Sequence, residues 1–387
     1  MTMARPFTLL SGLALLAGLL LAPLRAQETP PNRIAALQAR LDQGAVRLTH
    51  DGTEHGYLRS LLAALDIPEE SQVLPFTRSS FLANAISPRR PRALYFNDDV
   101  AVGVSPGGRL IEIIANDRAG GPAFYTFATA AREAPRFQPE VALCTFCHNR
   151  TDPAASLWIV ANIPAHATGE PLRASRTDPS FDLTDHTTAF AERWGGWHVT
   201  GQTGQMRHQG NVTLAPGVSA LPIDQGLNVG DLSDRIDADQ TLQPGSDVVA
   251  LMTLEHQSGF INRAAMLNAA YGDAQADALA DYMMFAGEVP LPGPVRGSSA
   301  FAARFAAMGP RDPAGRSLRD HDLQARLFRH PLSYMIHSDA FAALSQQAKA
   351  RIWRRLETRL AQSADGRTAM AIAAATGPGA PAHWKTP

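Results

Sequence analysis

Residues 93–129 read ALYFNDDVAVGVSPGGRLIEIIANDRAGGPAFYTFAT. Apolar runs alternate there with turn-formers: Ala93–Phe96 before Asn97-Asp98-Asp99, Val100–Val104 before Pro106-Gly107-Gly108, then Leu110–Ala115 and Ala123–Thr129. Short runs rich in β-branched and aromatic residues, bounded by Gly, Pro, Asn and Asp, read as strands joined by hairpins. The stretch therefore predicts a β-meander. Upstream, Ile34, Leu37 and Leu41 recur at helical spacing, as do Tyr57, Leu58, Leu61, Leu62 and Leu65, with Pro68 closing the second helix. Downstream, residues 135–245 are rich in Gly, Pro, Asp and Thr and read mostly as loop, with short strands at Leu157–Ala161 and Val212–Leu214. At Ser246-Asp247 the texture becomes helical. Periodicity runs through Phe260 and across 264–285, 299–308, 321–329, 338–362 and 367–375, and the proline-rich 286–297 reads as a linker. The expected fold is α+β: an N-terminal β-meander with flanking helices, a loop-rich middle and a helical C-terminal half.

The whole chain has 387 residues, 45% of them hydrophobic, and a formal net charge of −1. That balance argues against a nucleic-acid binder or a polybasic membrane-surface protein, and the apolar fraction against disorder. Arg5 followed by the apolar run Phe7–Ala22, then Pro23-Leu24-Arg25-Ala26, reads as a secretory signal peptide. At about 16 residues the run is short of the roughly 20 that a membrane-spanning helix needs. Removal of residues 1–26 takes the net charge to −3. The expectation is a periplasmic protein without stable membrane insertion. Its regions are residues 27–135 (the N-terminal α/β region), 136–245 (the loop-rich region) and 246–387 (the helical region).

Only two cysteines occur, and they sit together in Cys144-Thr-Phe-Cys147-His148. In a C-x-x-C-H segment each thiol adds across a haem vinyl group, and the adjacent histidine becomes an axial ligand of the iron. Two intervening residues let one helical turn present both sulfurs to one porphyrin edge. A zinc site needs further ligands, and there is no second cysteine pair. A thioredoxin-like pair needs a βαβ setting that is not evident around it. Covalent haem attachment also fits an exported chain. The expected cofactor is one haem c, held by Cys144, Cys147 and His148.

The second axial position separates electron transfer from catalysis. His208 and His256 are the leading candidates, with His198, a methionine such as Met206 or Met252, or an open position as alternatives. Haem propionates need cations or donors. Arg193, Trp197 and Arg207, in the segment that also holds Trp194, are the candidate partners.

The C-x-x-C-H motif resembles that of c-type cytochromes. More than 100 residues of the mature chain precede Cys144, unlike the small all-helical carriers. Pro91–Asp98, Glu192–Gly201, Arg207–Asn211, Leu254–Gln257 and Pro331–Tyr334 are similar to stretches in a group of large bacterial cytochrome-c-domain proteins. The resemblance covers most of the mature chain and implies a haem protein of non-standard architecture. The expected function is an exported monohaem cytochrome that transfers electrons with a redox partner protein. The alternative is a haem-dependent oxidoreductase, peroxidase-like or acting on another small molecule, with an open distal site. Its length favours the alternative, because a bare one-haem carrier needs only about 100 residues.

Overall fold

Asn32 opens the first helix, α1 (Arg33–Asp42): its side-chain oxygen accepts from the N–H groups of Ile34 and Ala35, the usual way of satisfying orphan donors at a helix start. The computed structural model describes residues 1, 31–80, 82–149, 156–172, 182–237 and 241–385. The proposed signal segment therefore falls outside the described residues, Met1 apart. The chain divides into two units, residues 1–30 and 31–387, and the second is the subject below. A second helix, α2 (Leu58–Ala64), follows.

The meander forms as its alternation requires. Strands β1 (Ala93–Phe96), β2 (Val100–Val104), β3 (Leu110–Asn116) and β4 (Pro122–Ala128) pair in sequence order, all antiparallel. A short fifth strand not read from the sequence, β5 (Phe137–Pro139), adds to the edge. Side chains alternate between the two faces of a strand. Tyr95, Val102, Ile111 and Ile113 point to one face and pack with Ile34, Leu37, Leu58 and Leu61 of α1 and α2 into one apolar core. The register lines up two rows on the other face: Leu94, Gly103, Glu112 and Thr126, and Phe96, Ala101, Ile114 and Phe124.

Beyond the sheet comes α3 (Ala142–His148), then irregular chain. The expected strand at 157–161 mostly does not form, and only Ala161–Asn162 pairs, with Asp182–Leu183. The expected strand at 212–214 does not form: Asn211 turns the chain with a left-handed φ of 66°, and Leu214 makes one isolated bridge. Asp247 caps α4 (Val248–Ala269), accepting from Val249 and Ala250. It continues well past Phe260 and is buried along nearly its whole length. Then follow α5 (Asp273–Met283), α6 (Phe301–Met308), α7 (Asp339–Ala342), α8 (Gln346–Leu360) and α9 (Ala364–Thr376). Residues 321–329 are not helical. Asp322 accepts there from the N–H groups of Gln324 and Ala325, and Leu323 is left-handed, so a local turn outcompetes the helix. A second, larger core joins α4, α5, α6, α8 and α9. The architecture is α+β, with the antiparallel sheet in the N-terminal half and helices in the C-terminal half. Among the described residues no helix is long and apolar enough to cross a membrane.

Candidate cofactor site

The C-x-x-C-H segment forms α3, two turns held at the start by Glu140, whose carboxylate accepts from the Leu143 N–H. Positions three and four apart share one helix face, so Cys144, Cys147 and His148 come together. All three line one cavity. Its sheet wall is the pair of rows just described. Other walls come from Trp158 and Val160, from Trp197, and from Leu254 on α4. The space measures about 1560 Å³ with its open, solvent-filled mouth included.

The Trp197 wall is set by the turn Trp194-Gly195-Gly196-Trp197, with φ of 68° at Trp194 and 83° at Gly196. A Cβ on Gly196 would lie 1.9 Å from Thr77 Oγ1 and 2.3 Å from the Ile163 carbonyl oxygen. Only glycine fits both that conformation and that approach.

His148 is oriented from behind. Its Nδ1–H donates to the Leu157 carbonyl at 2.5 Å, and its ring lies 4.8 Å from that of Phe124. Burial pushes its pKa down to about 4, so the ring is neutral and Nε2 carries a free lone pair. A histidine fixed through one nitrogen and unprotonated at the other is the usual arrangement of a metal-ligating imidazole. Burial, with Glu112 and Glu140 adding to it, pushes the Cys144 thiol up to about 11. It is therefore a thiol at neutral pH, the reverse of an activated redox cysteine. Cys144 and Cys147 are not joined to each other. Among the described residues no set of three or more His, Cys, Asp or Glu is placed to hold a metal ion by itself.

The cavity carries a charged pair. Arg92 Nη2 lies 3.0 Å from Glu112 Oε2, and both residues line the cavity. The guanidinium rests on the sheet over Gly103, where a Cβ would come within 2.2 Å of Nη2. Arg92 Nε is buried without a hydrogen-bond partner. An apolar space with a neutral imidazole, two thiols, the Arg92–Glu112 pair and Glu140 on its lining fits the apolar macrocycle and iron of a haem group.

Sequence-expected residues other than the motif are dispersed. Trp197 lines the cavity, and its Nε1–H donates to the Ala161 carbonyl. Arg193 does not reach it: the side chain is buried in an ion pair with Glu255 at 3.1 Å. Arg207 is exposed, paired with Asp224 at 2.5 Å. His208 is fully buried against Trp194, 5.0 Å between rings, with Nδ1 accepting from the Gly210 N–H. His256 is fully buried too. Its Nδ1 is 2.8 Å from His186 Nδ1, and its Nε2 is 2.7 Å from Ser333 Oγ. His198 donates from Nε2 to the Pro88 carbonyl. Met206 and Met252 belong to the larger core. None of His198, His208, His256, Met206 and Met252 lines the cavity. Sequence reasoning passed over Arg92, Gly103 and Glu112. Two signals pointed to them: a charge inside the apolar run LIEIIA, and a glycine inside the strand VAVGV, where a close approach is the usual cause.

No family model, no curated protein and no solved structure matches the chain.

Proposed function

We propose that the chain is a monohaem c-type cytochrome. Cys144 and Cys147 hold the haem through thioethers, and His148 Nε2 is one axial ligand of its iron. The observation that carries this reading is that both sulfurs and a back-oriented neutral imidazole line one apolar cavity. Bound haem supplies a one-electron centre whose reactivity depends on the second axial position. Among the described lining residues His148 is the only imidazole and there is no methionine. The undescribed stretches between 31 and 387 contain neither residue type. That supports an exchangeable position, and with it the haem-dependent oxidoreductase reading. Arg92 and Glu112 also line the cavity and give it one charged pair beside the apolar walls. Export to the periplasm is part of the proposal, since covalent attachment suits that compartment and residues 1–26 read as its signal.

Simple electron transfer is the second reading. It is supported by Val141 and Leu143, exposed beside Cys144, which would give a redox partner protein close access.

Haem staining after denaturing electrophoresis tests the first claim: wild type stains, while Cys144→Ala and Cys147→Ala lose or weaken the signal. Absorption and EPR spectra of the ferric protein, with and without cyanide, test the second. High-spin iron that takes up cyanide is expected. Low-spin iron indifferent to cyanide would leave only the carrier reading.

A further inference from the structure

In a chain near 100 residues a haem has to serve as core, because so little apolar surface is otherwise buried. Here each cavity wall has its own support. The sheet is backed by the core it shares with α1 and α2. Trp158, Trp197 and Leu254 are rooted in the larger helical core. The walls are also clamped to one another by protein groups. Asn262 on α4 accepts from the Trp158 N–H at 2.7 Å and donates to its carbonyl at 2.8 Å. Gln257 donates to the Asn97 carbonyl at 2.6 Å, tying the first hairpin to α4. Thr77 Oγ1 donates to the Ile163 carbonyl, and the Phe76 N–H to the Gly196 carbonyl, both at 2.7 Å. His148 takes its orientation from Leu157, a group of the chain itself.

We infer that this chain folds before it receives haem and binds haem non-covalently in the cavity through His148, the thioethers serving retention rather than folding. The inference rests on the haem reading above. The weakest element is α3, which is short, is held at its start by Glu140 and exposes Val141 and Leu143; the ligand steadies this helix while the walls stand without it.

The test uses the full mature chain expressed in a compartment without haem-attachment machinery, as wild type under reductant and as Cys144→Ala/Cys147→Ala. Both haem-free forms are expected to give native circular dichroism and cooperative melts with closely similar midpoints. Titration with haemin is expected to saturate at one per chain with a shifted Soret band. His148→Ala should weaken binding by at least about ten-fold while the haem-free variant still melts cooperatively, and added imidazole should restore the axial spectrum. An unfolded haem-free wild type would overturn the inference, as would haemin uptake that does not saturate at one per chain or ignores His148→Ala. Haem staining of wild type made with the attachment machinery keeps the two readings apart. A stained protein that cannot fold haem-free refutes only this inference, whereas an unstained one refutes the haem c reading itself.

Discussion

Gly103 and Gly196 carry more of the site than their size indicates. In the middle of a strand, glycine to alanine normally gains about 0.5–1 kcal/mol. At Gly103 the new Cβ would displace the Arg92 guanidinium from Glu112, so Gly103→Ala is expected to lose stability, by about 1–3 kcal/mol if the pair is forced apart. A thermal melt reads the sign, and a raised midpoint would mean that the guanidinium moves freely. Gly196→Ala should be worse, since a left-handed φ and a backbone carbonyl both oppose the methyl; a loss of at least about 2 kcal/mol in chemical denaturation is expected. These two positions also mark how far single residues were legible. Cys144, Cys147 and His148 declare themselves by local spacing. The fates of His208 and His256 do not, because a buried histidine bonded to Gly210 or Ser333 has the same sequence signature as one bound to iron.

Among the elements, α4 positions Leu254 in the cavity wall and clamps Trp158 through Asn262. Its cap has a double duty: Asp247 Oδ1 accepts from Val249 and Ala250, and Oδ2 from the N–H and hydroxyl of Ser299. Asp247→Ala is expected to cost about 2 kcal/mol, the upper end of a helix-cap loss. Asp247→Asn should recover part of it, as read in urea titrations. The charged seam between α5 and α8 is the contrasting case. Arg351 pairs with Asp273 and Asp277, and Arg355 with Asp281, all at 2.6–3.0 Å. The pairs lie at the surface and are partly exposed, and Arg351→Ala should change stability by about 1 kcal/mol or less. The meander and most helices followed from periodicity, which is a local property. Residues 321–329 did not, because a helical pattern of apolar residues cannot reveal that Asp322 will fold back on its own backbone.

At the scale of the whole molecule the buried imidazoles dominate the response to acid. Burial pushes His186, His198, His208 and His321 down to about 4, and His256 well below its usual value. In the unfolded chain each protonates near 6.5, so between about 6.5 and 4 the unfolded state binds more protons and stability falls with pH. One shift of that size is worth about 3 kcal/mol, and a few of them are comparable with the usual 5–15 kcal/mol of a folded protein. Asp99 works the other way. Burial raises it to about 6 and raises Asp247, Glu255 and Glu288 in the same direction, so at these carboxylates the folded state gains as pH falls, but the lowered imidazoles, with His148, His330 and His337 among them, outnumber them. The haem-free protein is expected to unfold cooperatively above pH 4, taking up more than one proton, as followed by tryptophan fluorescence. Retention of the native signal at pH 4 would show that these rings are hydrated or already charged.

The sequence by itself determined the local matters: the meander, the main helices, and the single segment where two thiols and an imidazole share one helical face. Each depends on neighbours within a turn or a hairpin, which the spacing of residues encodes directly. The tertiary structure decided what surrounds that segment. Strand register sets Arg92 and Glu112 into the cavity beside it, while core packing carries Arg193, His208 and His256 away to partners up to 77 residues distant. Spacing along a chain says which groups can share a face, whereas which faces meet is settled by the packing of two cores and the sheet between them.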